Sequence, residues 1–101
     1  MNKYHATRTD SELCGRTFAS RKEAMRGEEL FLLERAGNIQ CLEYQPKFYL
    51  SEKPRVTYTA DFRYIENYKV VVEDVKGVMT RDTRTKIAWL KQLKGIEVII
   101  V

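Results

Sequence analysis

The chain has 101 residues, 44% of them apolar and 32% charged, with a net charge of +4 and a pI near 9.1. Such a length makes one domain, near the lower end of what a single hydrophobic core stabilises, and the aromatic content argues against a disordered chain. No apolar run approaches the ~20 residues needed to cross a bilayer, and Met1-Asn2-Lys3-Tyr4-His5 lacks the apolar stretch of a signal peptide, so a cytoplasmic location is expected.

The first twenty residues are polar and show no strong period. Ser20-Arg21-Lys22-Glu23 then fits a capping box, with Ser20 as N-cap and Glu23 at the third helical position. The helix should run to about Ala36 and stop at Gly37, where glycine takes the left-handed conformation at no steric cost. Its apolar side comes from Ala24, Leu30, Phe31, Leu32 and Leu33.

From Ile39 the period changes. Ile39 to Tyr44 reads as a strand, Gln45-Pro46 interrupts it, Lys47 to Leu50 resumes extended structure, and Pro54 marks a loop. Val56 to Ile65 alternates, with Tyr58, Ala60, Phe62 and Tyr64 on one face and Thr59, Asp61, Arg63 and Ile65 on the other. Glu66-Asn67-Tyr68-Lys69 is a tight turn, and Val70 to Lys76 is a second β-branched strand that ends at Gly77. A helix starts near Thr80 or Asp82, carries Ile87, Trp89, Leu90 and Leu93, and stops at Gly95; Ile96 to Val101 is a closing strand. The order is helix, three or four strands, helix, strand, which is an α/β (α+β) domain.

Cys14 and Cys41 form no C-x-x-C pair, and with the lone His5 they are too few for a structural zinc site. The chemistry is expected elsewhere. If Asn67 and Tyr68 form a two-residue hairpin loop, Glu66 pairs with Lys69 and, in that register, Asp61 falls opposite Asp74. A slip of one residue would set Asp61 against Glu73 instead. Two carboxylates so placed repel each other and need a cation or a shared proton. Mg²⁺ suits the arrangement, since it takes one or two carboxylates and accepts phosphate oxygens from a substrate. Lys76, one strand repeat beyond Asp74, would then orient an attacking water or steady charge on phosphorus. The plain alternative is a solvent-facing pair of strands, on which Asp and Lys are common.

Several segments together resemble the PD-(D/E)XK nuclease core: Asn2-Lys3-Tyr4, Ser20-Arg21-Lys22-Glu23-Ala24, Gln45-Pro46-Lys47-Phe48, Thr59-Ala60-Asp61-Phe62 and Val72-Glu73-Asp74-Val75-Lys76-Gly77. They span nearly the whole chain and resemble most the small phage-encoded endonucleases of the superfamily that includes Holliday-junction resolvases. Ala60 stands where the family name has proline. The resemblance implies a restriction-endonuclease-like core and a Mg²⁺-dependent endodeoxyribonuclease, with Mn²⁺ able to substitute, structure-selective for branched DNA such as a Holliday junction and acting in phage recombination or DNA processing. Asp61 and Asp74 would be metal ligands with the Val75 carbonyl, Lys76 the catalytic lysine, and Glu23 a further acid acting through water. Gln45 would be a supporting residue beside the site.

Glu23 is also what a capping box requires, and Glu28 is its rival as the third acid. Gln45 beside Pro46 has the simpler use of satisfying backbone groups where the strand breaks. Lys47, Arg63, Arg81, Arg84 and Lys86 are candidate phosphate contacts, the last three near the start of the second helix. DNA is the expected partner, with a homodimer as the expected assembly. The competing functions are a DNA-binding module of nuclease fold that does not cut, and a basic scaffold protein with a chance carboxylate pair.

Overall fold

In the computed structural model, which describes residues 7–101, helix formation begins where a side chain replaces a missing backbone acceptor. Ser20 is extended and its hydroxyl accepts the Glu23 N–H at 3.1 Å, opening α1 (Arg21–Arg35). The helix closes with Gly37 at φ 82, where Asn38 N–H bonds Leu33 O and Gly37 N–H bonds Glu34 O, a Schellman motif. Asn2-Lys3-Tyr4 and His5 lie outside the described residues.

Ahead of α1 stands a hairpin that the polar character of the first twenty residues does not announce: β1 (Thr9–Ser11) against β2 (Arg16–Phe18). Strands of three residues are too short to show a period. Phe18 at the end of β2 is buried under α1, and a Cβ on Gly27 would meet its ring at 2.6 Å. The absent side chain at Gly27 is what lets helix and ring close up.

The main sheet has the order β3-β6-β7-β8, from β3 (Gln40–Tyr44), β6 (Phe62–Glu66), β7 (Lys69–Asp74) and β8 (Val98–Ile100). Its first two pairings are antiparallel, and β8 joins β7 in parallel after α2 (Arg81–Lys94) has crossed over. A separate two-stranded ribbon pairs β4 (Lys47–Glu52) with β5 (Arg55–Thr59). Two helices with mixed sheets make an α+β fold. One core, under α1, holds Phe18, Ala24, Leu30, Ile39, Phe62 and Tyr64. The other lies between α2, the ribbon and β7, around Leu90, Phe48, Leu50, Tyr58, Ala60 and Val72.

Three expectations need correction. Val56 to Ile65 is two strands in two different sheets, because the chain changes hydrogen-bonding partners at Ala60 and Asp61. Ala60 N–H bonds Pro46 O, Asp61 N–H bonds Glu73 O at 3.1 Å, and Asp61 O accepts from Gln45 N–H. The second β-branched strand ends at Asp74, so Val75 and Lys76 lie beyond it. On α1, Leu32 is exposed while Glu23 and Gly27 are buried, so the helix turns a less greasy face inward than its leucines suggest.

Candidate active site

The hairpin between β6 and β7 sets the site. Asn67 and Tyr68 both have positive φ, the two-residue turn that matches the twist of paired strands. It fixes Glu66 opposite Lys69 and Phe62 opposite Glu73. The ladder stops at Phe62. Asp61 sits in a bend one residue further on, bonded through its own N–H to Glu73 O, and so reaches Asp74 from the end of the ladder.

Asp74 is almost completely buried. One carboxylate oxygen, Oδ2, accepts a short hydrogen bond from the Tyr58 hydroxyl. The other, Oδ1, has Lys76 Nζ at 3.2 Å but no hydrogen bond, since the ammonium lies off the bonding direction. Asp61 Oδ2 accepts the Val75 N–H at 2.7 Å. Asp74 lies close enough to Asp61 to act on its carboxyl. Burial, Asp74 and the charge of Glu23 together push the Asp61 carboxyl up to about 8, against the smaller opposing pull of the Val75 N–H. Burial and the Asp74 charge likewise push the Tyr58 hydroxyl up, so it stays a donor.

Glu23 is buried at the first turn of α1, and its charge bears on Asp61. Its N–H completes one half of a capping box with Ser20, but no hydrogen bond runs from Ser20 N–H back to its carboxylate among the described residues. The rival, Glu28, accepts the Ser11 hydroxyl at 2.6 Å and belongs to the N-terminal hairpin. Of the five residues expected at the site, Asp61 and Asp74 lie side by side, Lys76 lies at Asp74, and Glu23 is near enough for its charge to bear on Asp61. Gln45 stands beside them through its backbone N–H on Asp61 O, with its side chain exposed. Val75 contributes its N–H to Asp61.

Of the basic candidates, Lys47, Arg81 and Arg84 are exposed. Lys86 pairs with Asp82 at 3.3 Å. Arg63 is held in a two-pronged pair by Glu43, at 3.2 and 2.5 Å, and lies over the Phe48 ring. Tyr58 escapes a reading of the sequence. Strict alternation sets it on the face opposite Asp61, and only the break at Ala60-Asp61 turns it toward Asp74. The nearest signal is that break itself, Pro46 and Asp61 both standing where ladders end.

The acids suit a hard divalent cation. All the donors are oxygens, Asp74 Oδ1 is buried without a hydrogen bond, and burial, with the neighbouring acids, raises the Asp61 carboxyl to about 8, a shift that a cation would offset. Among the described residues no three His, Cys, Asp or Glu side chains converge to enclose an ion. Mg²⁺ asks for less, as one or two carboxylates and several waters complete its shell. The residues fit.

The family model described as "Protein of unknown function (DUF1064)" matches residues 1–97, and the chain belongs to that family. No curated protein and no solved structure matches it. No helix among the described residues is long and apolar enough to cross a membrane.

Proposed function

We propose that the protein is a Mg²⁺-dependent endodeoxyribonuclease of PD-(D/E)XK type, acting in the cytoplasm on branched or linear DNA. The observation that carries this reading is the pair Asp61 and Asp74, side by side with Glu23 nearby and the Lys76 ammonium at Asp74. Burying like charges together destabilises a fold, and such clusters persist where they serve a site.

Asp61 and Asp74 would hold the ion, with the Val75 carbonyl beside them. When bound there, Mg²⁺ supplies a Lewis acid toward a phosphate oxygen and lowers the pKa of water. The protein's own groups do the rest. Tyr58 pins Asp74 Oδ2 and leaves Oδ1, beside Lys76, as the oxygen that would bind the ion. The Val75 N–H fixes Asp61 in the same way. Lys76 carries a positive charge at Asp74, where it steadies charge developing on phosphorus or orients the attacking water. Glu23 holds a water from the α1 side.

Calorimetric titration of Mn²⁺ or Mg²⁺ into the wild type and Asp74→Ala, with cleavage assays on branched and linear DNA, tests this directly. The wild type should bind metal and cut. Asp74→Ala should lose both, with cutting down by at least about 10³-fold, equivalent to about 4 kcal/mol. A folded wild type that binds no metal and cuts nothing sinks the reading. The second reading is a DNA-binding module that does not cut, and DNA binding without metal-dependent cleavage would select it.

Cutting two strands calls for two copies, and a homodimer is part of the proposal. Of the two outer strands, β3 is broken by a bulge and carries Glu43, whereas β8 exposes Ile99 and Ile100 with no charge in the strand. Ile99→Lys should convert a sedimenting dimer to monomer; a wild type that is monomeric at all concentrations removes the dimer.

A further inference from the structure

The β4–β5 ribbon turns one face to the core and one to solvent. Phe48, Leu50 and Tyr58 point inward against Leu90 of α2. The intervening residues of β4, Lys47 and Tyr49, therefore face out, opposite Thr59 and Thr57. Tyr49 is 52% exposed, an unusual position for a tyrosine that no core requires. The Arg55 guanidinium lies 5.7 Å from its ring centre. Tyr49, Ser51, Glu52, Lys53 and Arg55 line an open cleft of about 510 Å³ at the far end of the ribbon.

One end of the ribbon, the start of β4 and the end of β5, lies at the candidate active site. β5 runs directly into Ala60 and Asp61, while β4 follows Gln45 and Pro46, whose backbone groups bond Asp61 and Ala60. At ~3.3 Å per residue, the face from Lys47 to Lys53 covers ~20 Å, the reach of several nucleotides. Along it stand three cations, Lys47, Lys53 and Arg55, against one carboxylate, Glu52. Spaced cations around an exposed aromatic ring are the recognition chemistry of an unpaired nucleic-acid strand, whose phosphates meet the cations while a base stacks on the ring. An acidic peptide would use the cations but leave the ring without a function.

We infer that the outer face of the β4–β5 ribbon binds a single-stranded DNA segment leaving the Asp61–Asp74 centre, with one base stacked on Tyr49. This deepens the nuclease reading, resting on its DNA substrate and not on its chemistry. It makes the preferred substrate a duplex with a single-stranded arm.

The test uses fluorescence anisotropy of the full chain with fluorescein-labelled DNA in EDTA, so that cleavage plays no part. The probes are a forked duplex with unpaired arms and a blunt duplex of the same length. Tyr49→Ala should weaken binding to the fork about tenfold and leave the blunt duplex within about twofold, while Tyr49→Phe behaves as wild type. Lys47→Glu with Arg55→Glu should weaken the fork at least about tenfold and flatten the salt dependence of log K by about 1.5, the share of two phosphate contacts on a single strand. Because these side chains face solvent, the melting temperature should not move. Unchanged affinity in these variants overturns the inference, as do equal losses on fork and blunt duplex, tighter binding of an RNA fork, or no DNA binding by the wild type. A wild type that binds through the ribbon yet never cuts with metal fails the nuclease reading and leaves this one standing.

Discussion

Glu73 and Asp74 are neighbours on the same strand, equally buried, and turned to opposite faces of the sheet. Each accepts a hydrogen bond from a tyrosine hydroxyl, Tyr64 for Glu73 and Tyr58 for Asp74. There the likeness ends. Glu73 is gripped by Arg26 of α1 through two parallel N–H bonds at 2.7 and 2.6 Å, so both its oxygens are hydrogen-bonded. Asp74 has a lysine off the bonding direction, an oxygen without a hydrogen bond, and a second aspartate alongside. One carboxylate is compensated by the chain itself, while its neighbour keeps an oxygen without a hydrogen bond. The two are equally buried and differ only in how far each is compensated.

The sharpest way to break this contrast is to strip Glu73 of its partner. Arg26→Ala leaves a buried, uncompensated carboxylate and should cost about 3–5 kcal/mol in urea denaturation. A loss under about 1 kcal/mol would mean that Glu73 is no more settled than Asp74.

The two tyrosines sharpen it further. Tyr64→Phe and Tyr58→Phe each remove a hydrogen bond to a buried carboxylate, and each should cost about 1.5–3 kcal/mol of stability. Only Tyr58→Phe should also change Mn²⁺ affinity, because only its hydroxyl orients an acid of the site. Equal calorimetric titrations for the two variants would remove that distinction.

The smallest effect is in pH. Asp61 is raised to about 8 in the folded protein, so the stability tied to its protonated form is complete below its unfolded value near 4. That stability is lost as pH rises through about 8. Without divalent metal, the melting temperature should fall between about pH 5 and pH 9 by roughly 5 °C, equivalent to about 1 kcal/mol, because partial solvation of Asp61 dampens the full shift. Asp61→Asn should flatten the profile, and added Mg²⁺ should restore stability at the alkaline end. A flat wild-type profile would show that Asp61 is not raised by its burial and its acidic neighbours.

Much of this architecture is written in short-range signals. Ser20, Gly37 and Gly95 bound the helices because a hydroxyl can cap an N–H and a glycine can turn left-handed, local facts needing no tertiary partner. The turn at Asn67-Tyr68 sets the β6–β7 register, and with it the approach of Asp61 to Asp74, because a two-residue loop admits one pairing. The N-terminal hairpin stayed hidden because strands of three residues carry no period, and the break at Ala60-Asp61 because alternation runs straight through it.

What the sequence by itself determined is the bounds of the two helices, the β6–β7 hairpin register, and so the approach of Asp61 to Asp74. Only the tertiary structure decided how each charge is met. It gave Glu73 to Arg26 across 47 positions of chain, Glu28 to Ser11, and Tyr58 to Asp74, while it left Glu23 beside Asp61. The reason is range: capping and turn preferences act over a few residues, whereas a buried charge is stabilised by whatever donor the packing of distant elements carries to it.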